Sequence, residues 1–238
     1  MDKRILAFSS SRAGKGGYLE TAVPLIKDFL GYERLKIAFI PFASADDPEA
    51  YLEKVRAGLY TLPYTIDLVT PGNALTMIGE SDVIMVGGGN TFKLLHDIYA
   101  LQLFDMIQEK VNAGTPYIGW SAGSNITGKT IGTTNDMPVI TPQSFVALGF
   151  FPFQINPHYL DQEIAGFNGE TRDQRLMEFM KLNPGIAVIG LPEGTALHLE
   201  KGGLKFIGEN GVLFLPAQDS AGPVRKIIAP GETLSFLC

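Results

Sequence analysis

The sequence predicts an α/β fold: a mainly parallel sheet sandwiched by helices, with antiparallel β hairpins at the C-terminus. Three observations carry this. Short runs that are apolar throughout, such as Ile5–Phe8 and Val83–Val86, recur along the first 120 residues. Amphipathic helical stretches separate them, the pattern of strands buried on both faces. After residue 130 the pattern changes to short β-like pieces rich in Gly, Pro and Asn, with one strong helix near 172–182.

Each element has its own signal. The first strand, Ile5–Phe8, ends in the loop Ser9-Ser10-Ser11-Arg12-Ala13-Gly14, and a helix is expected over 18–30. A second strand, 36–42, stops at a proline. Asp46-Asp47-Pro48-Glu49 then reads as a helix start, with an acidic cap and Pro in the first turn. Strands at 65–69 and 83–86 follow, the latter ending in Gly87-Gly88-Gly89-Asn90-Thr91. One long helix is expected from there to Val111, stopped by Gly114. The fifth strand, 117–119, leads into Trp120-Ser121-Ala122-Gly123. A later strand fits 187–191. The stretch 196–214 reads as hairpins turning at Gly202-Gly203 and Asn210-Gly211. With no linker, repeat or low-complexity segment, residues 1–238 are expected to form one domain.

Composition narrows the function. At 45% hydrophobic and 18% charged residues the chain can build a sizeable core, which excludes a disordered protein. The net charge of −6, with no run of Lys and Arg, argues against a nucleic-acid partner. The single cysteine, Cys238, excludes an internal disulfide or a Cys-based zinc site. The first ten residues lack the apolar core and cleavage site of a signal peptide, and no apolar stretch approaches the ~20 residues of a membrane span. A soluble, cytoplasmic protein is the expectation.

Two motifs overlap. Gly119-Trp120-Ser121-Ala122-Gly123 matches G-x-S-x-G directly after a strand, where small residues permit the sharp turn that exposes a nucleophilic serine. The helix that follows aims its N-terminal amides at the charge that develops on attack. An ordinary Gly-rich turn with an exposed serine satisfies the same letters. Gly123-Ser124-Asn125-Ile126-Thr127-Gly128-Lys129-Thr130 also satisfies the phosphate-binding G-x-x-x-x-G-K-[ST]. Its context is wrong, because the residues after Lys129-Thr130 are β-branched, carry Gly132 and stop at Pro138, so no helix opens there. The run Gly87-Gly88-Gly89 exceeds what a helix cap requires. Backbone amides at Gly89 and Ala122 are therefore candidates for an oxyanion hole.

Three histidines limit the choice of a general base. His96 falls inside a helix and His198 reads as an outward strand position. His158, in Gln154-Ile155-Asn156-Pro157-His158, lies in a loop at a strand end, the expected active edge.

These residues resemble the peptidase E family. The matching segments include Val86-Gly87-Gly88-Gly89-Asn90-Thr91-Phe92, Tyr117 to Gly123, Thr133-Thr134-Asn135-Asp136-Met137-Pro138, Gln154 to His158, Gly169-Glu170-Thr171-Arg172 and Ile189-Gly190-Leu191-Pro192-Glu193-Gly194. They keep their order from about residue 36 to 195. The C-terminal β region matches least, and Ser124 stands where the family signature has Ala. The resemblance implies a fold like class I glutamine amidotransferases, flavodoxin-like in outline. It also implies hydrolysis of dipeptides, and of some tripeptides or aspartyl esters, with N-terminal L-aspartate, without a metal or organic cofactor. Carried over, Ser121 is the nucleophile and His158 the base. Asp136 and Glu193 both lie in matching motifs and either orients the imidazole, with Glu193 the favoured direct partner. Arg172, in the loop starting at Phe167, is expected to pair with the substrate carboxylate, although an Arg at a helix start commonly pairs with a nearby acid instead. A cyanophycinase-like peptidase and a non-catalytic binding domain are the rival readings.

Overall fold

The computed structural model describes residues 2–161, 168–216 and 222–238. Seven strands make the larger sheet: β1 (Ile5–Phe8), β2 (Lys36–Ile40), β3 (Thr65–Leu68), β4 (Val83–Val86), β5 (Tyr117–Trp120), β8 (Ala196–Glu200) and β9 (Gly203–Ile207). Their order is β3-β2-β4-β5-β1-β8-β9. The first five are parallel, and β8 and β9 close one edge antiparallel. β4 and β5 are buried at every position, as strands covered on both faces must be. The covering helices are α1 (Ala22–Leu30), α2 (Pro48–Gly58), α3 (Ala74–Glu80), α4 (Thr91–Ala100) and α5 (Phe104–Asn112).

A second, four-stranded sheet has the order β11-β10-β7-β6, with β6 (Gln154–Pro157), β7 (Val188–Leu191), β10 (Gly211–Leu215) and β11 (Val224–Ile228). β6 and β7 are parallel, and α7 (Arg172–Leu182) lies between them in sequence. Leu176 and Met180 of α7 pack on this sheet against Val188, Val212 and Phe214. One apolar cluster runs from Ile84 and Tyr117 to Ile155, Ile189 and Leu213, so the two sheets share a core.

Four expectations need correction. The long helix to Val111 is two helices, because Gln102 adopts φ 56° and the chain turns there to bury Leu103. The first helix begins at Ala22 rather than 18, since buried Leu19 has φ 58°, which a right-handed helix does not admit. Asn210-Gly211 is not a hairpin turn: β9 pairs with β8, whereas β10 pairs with β7 and β11. Gly208, at φ 119° and against Thr195, swings the chain from one sheet to the other. The β8–β9 hairpin turns on Lys201 and Gly202, both at positive φ, one residue earlier than the sequence suggested.

Candidate active site

The parallel strands bring three loops to one edge: Ser9 after β1, Gly87 to Gly89 after β4, and Ser121 after β5. Ligands of such sheets bind at this carboxyl edge. Ser121 has φ 54° and ψ −114° and sits directly before the short helix α6 (Ala122–Asn125). Such a backbone costs about 1–3 kcal/mol and persists only where the surroundings impose it. They do so through close packing. A side chain at Gly119 would lie 2.5 Å from the Gly123 carbonyl oxygen, and one at Gly123 would lie 2.3 Å from that of Val86. Ser124, buried behind them, has its hydroxyl 2.7 Å from the Phe8 carbonyl and 2.9 Å from that of Gly119, ties an alanine lacks.

His158 follows β6, also at positive φ (52°). Its Nε2 is 2.9 Å from Ser121 Oγ, and its Nδ1 is 2.9 Å from Glu193 Oε1. A carboxylate at Nδ1 holds the proton there and leaves Nε2 to accept from the serine hydroxyl. Glu193 stands between Pro192 and Gly194 (φ 84°), in the turn between β7 and β8. Both side chains are partly open to solvent, His158 at 42% and Glu193 at 51% exposure, so their contact orients the ring more than it stabilises the fold.

Asp136 is placed differently. Its Oδ2 accepts from the Thr91 amide (2.7 Å) and the Thr134 hydroxyl (3.1 Å), at the start of α4. It borders a small cavity of about 20 Å³ together with Ser121 and His158, but makes no hydrogen bond to the imidazole. Asn135 from the same loop donates to the Pro157 carbonyl at 2.8 Å, bracing the residue before His158.

The amides of Gly88, Gly89 and Ala122 have no hydrogen-bond acceptor among the described residues. Each glycine of the run makes room for something different. A Cβ at Gly87 would meet the Tyr51 hydroxyl at 2.6 Å, one at Gly88 the Ser121 Cβ at 3.0 Å, and one at Gly89 the Ala43 carbonyl oxygen at 2.3 Å. Tyr51 donates to the Gly88 carbonyl (3.1 Å) and accepts from Trp120 Nε1 (3.1 Å), so a partly buried phenol fixes the loop. Burial raises the pKa of Tyr51 and of its neighbour Tyr18, keeping both phenols protonated.

Ser121, His158, Gly88 and Gly89 border one cleft of about 410 Å³. Arg172 is not among its lining residues. It is the first residue of α7, half-buried, with its pKa lowered by burial and by Arg175. Phe167, at the start of its loop, lies outside the described residues. Lys129 of the phosphate-loop motif is exposed, and the bridge of Thr130 to Val146 stands where that motif requires a helix.

Ser9 escaped the sequence reading. It is fully buried, donates to the Leu191 carbonyl (2.7 Å) and accepts from the His158 amide (2.9 Å). One hydroxyl thus bridges the chain segments that carry His158 and Glu193. The only hint was a polar residue at the end of an apolar strand. Among the described residues no group of His, Cys, Asp and Glu is arranged to hold a metal ion, and no helix is long and apolar enough to cross a membrane.

A Ser–His–carboxylate relay under a sharp strand-to-helix turn defines the class: a hydrolase of serine type on an α/β sheet. The profile of peptidase family S51 matches residues 5–207. Peptidase E of Shewanella amazonensis is 45% identical over 239 residues, covering 100% of both chains. Peptidase E of Haemophilus influenzae is 47% identical over 203 residues, covering 84% of this chain and 93% of that one. The chain belongs to peptidase family S51, as a serine-type peptidase. The solved structure of a peptidase from an acI-B1 Actinobacterium shares the fold, with a TM-score of 0.65 and 16% identity over 99% of this chain and 98% of that one.

Proposed function

We propose that this chain is a cytoplasmic dipeptidase that removes L-aspartate from the N-terminus of Asp-Xaa dipeptides. The observation that carries the reading is the relay Ser121–His158–Glu193 at the edge of a cleft that also presents free backbone amides. Ser121 Oγ attacks the carbonyl carbon of the N-terminal residue while His158 Nε2 takes its proton. The amides of Gly89 and Ala122 hold the oxyanion, His158 then protonates the leaving amine, and water releases the acyl group by the same steps. Glu193 stabilises the imidazolium. Asp136 keeps the Thr134–Asp136 loop and the start of α4 in place beside Ser121. Full-length similarity to proteins named peptidase E supports the aminopeptide class over a polymer-degrading relative.

Selectivity for aspartate requires a cation, and Arg172 is the candidate from α7. A guanidinium pairs a carboxylate with two parallel hydrogen bonds, and an amide in its place leaves the cation unpaired. The test is a panel of Asp-Xaa, Asn-Xaa and Glu-Xaa dipeptides with the natural protein and Arg172→Met. Hydrolysis of Asp-Xaa alone, with Arg172→Met losing most of the Asp-over-Asn preference, is the expected outcome. Full discrimination by the variant would move the role elsewhere. Equal turnover of all three by the natural protein would remove the aspartyl reading altogether.

A further inference from the structure

The cleft beside Ser121 has a charge polarity that the catalytic relay does not use. One wall is a face of α2, where Asp47, Ala50, Tyr51 and Lys54 follow at helical spacing, all of them lining the cleft. Lys54 is the one cation among the lining residues. It makes no ion pair among the described residues, and its ammonium sits 4.8 Å from the centre of the Tyr18 ring, another cleft wall. Packing a lysine against an aromatic face holds its head in place without neutralising it. At the other end of the same wall lie Asp46 and Asp47. The Asp47 carboxylate caps α2, accepting from the amides of Glu49 and Ala50, while that of Asp46 has no cation within ion-pair distance among the described residues.

Seven residues of helix separate the backbone of Asp47 from that of Lys54, a rise of about 10 Å. A dipeptide spans about 7 Å between its terminal groups, and the reach of the lysine stem closes the difference. Tyr51 lies between the two ends and donates to the Gly88 carbonyl, in a loop packed against Ser121. A zwitterionic dipeptide along this wall therefore has its ammonium at the acidic end and its scissile carbonyl in the middle. Its free carboxylate then falls at Lys54.

We propose that Lys54 is a specificity-determining residue that receives the C-terminal carboxylate of the leaving amino acid, favouring free dipeptides over blocked or longer ones. The assignment rests on the dipeptidase reading above but not on its preference for aspartate. The experiment compares kcat and KM of the natural protein, Lys54→Met and Lys54→Arg on Asp-Leu and Asp-Leu-amide, and on Ala-Leu and Ala-Leu-amide. The natural protein should favour acid over amide about tenfold or more, chiefly in KM, as expected for a charged hydrogen bond. Lys54→Met should erase that ratio by weakening the acid far more than the amide, and Lys54→Arg should keep most of it. Lys54 is exposed, so an unchanged melting temperature should accompany both variants. Equal losses on acid and amide, or an acid-to-amide ratio that survives Lys54→Met, would overturn the proposal. Equal turnover of Asp-Leu and Ala-Leu would sink the aspartyl preference while the acid-to-amide ratio still decides Lys54. Hydrolysis of none of the four by the natural protein would sink both.

Discussion

The two sheets contribute to the candidate site in different ways. The seven-stranded sheet supplies Ser121 and the free amides from neighbouring parallel strands, β5 and β4. There the geometry is local: Gly119, Ser121 and Gly123 form the turn within five residues, and the close approach to Val86 fixes it. The four-stranded sheet supplies His158 and Glu193, which are 35 residues apart in the chain. Their meeting depends on register. β6 and β7 run parallel with Pro157 beside Leu191, so the residues just beyond each strand emerge at the same edge. Ser9, from the first sheet, then clamps both exits. A nucleophile can thus be positioned by local sterics, whereas an imidazole and its carboxylate need tertiary pairing.

Ser121→Ala should test the first sheet with the largest effect, lowering kcat by ~10³-fold or more with little change in melting temperature. Turnover close to that of the natural protein would mean that the strained serine is not the nucleophile.

The second sheet is tested by Glu193→Gln against Asp136→Asn. Glu193→Gln should lower kcat by roughly 10²-fold with a small change in KM, since an orienting group acts mainly on the transition state. Asp136→Asn should instead lower the melting temperature, because it weakens the cap of α4. A larger kcat loss from Asp136→Asn would return the acidic role to a loop beside the first sheet and break the contrast.

Ser9→Ala examines the seam itself. It leaves the His158 amide and the Leu191 carbonyl without their shared partner, at a cost of about 1–3 kcal/mol. Beyond that loss, kcat should fall about tenfold with little change in KM, as it would if the imidazole were held less firmly against Glu193. Loss of stability with an unaltered kcat would make Ser9 a packing residue only.

The smallest effect belongs to His198, in β8 of the first sheet and away from the relay. Burial depresses its pKa below the usual histidine value. The unfolded chain therefore binds its proton first as pH falls. The contribution of His198 is fully present above the unfolded value near 6.5 and is lost as pH drops through it toward the folded pKa. Urea midpoints measured between pH 7.5 and 5 should show a shallower decline for His198→Gln than for the natural protein. An identical decline would place the acid sensitivity in other groups.

Much of the fold is legible in the sequence because its signals are short. Apolar runs such as Val83–Val86 mark buried strands, Asp47-Pro48 marks the start of α2, and the Gly-flanked serine marks a sharp turn. The misreadings share a cause. Gln102 and Leu19 take positive φ because burying Leu103 and Leu19 itself outweighs helix continuity, a competition that no local pattern displays. Gly208 and Asn210-Gly211 look alike as turn formers, and only packing against Thr195 sends β10 to the other sheet.

By itself the sequence determined the α/β class, the turn that exposes Ser121 and the short list of partners for it, because those depend on sterics and polarity within a few residues. Only the tertiary structure decided that His158 meets Glu193 rather than Asp136, that Ser9 ties their strands together, and that Lys54 rather than Arg172 lines the cleft. Contacts between segments far apart in the chain follow from strand register and shared packing, and these are set by the whole core at once.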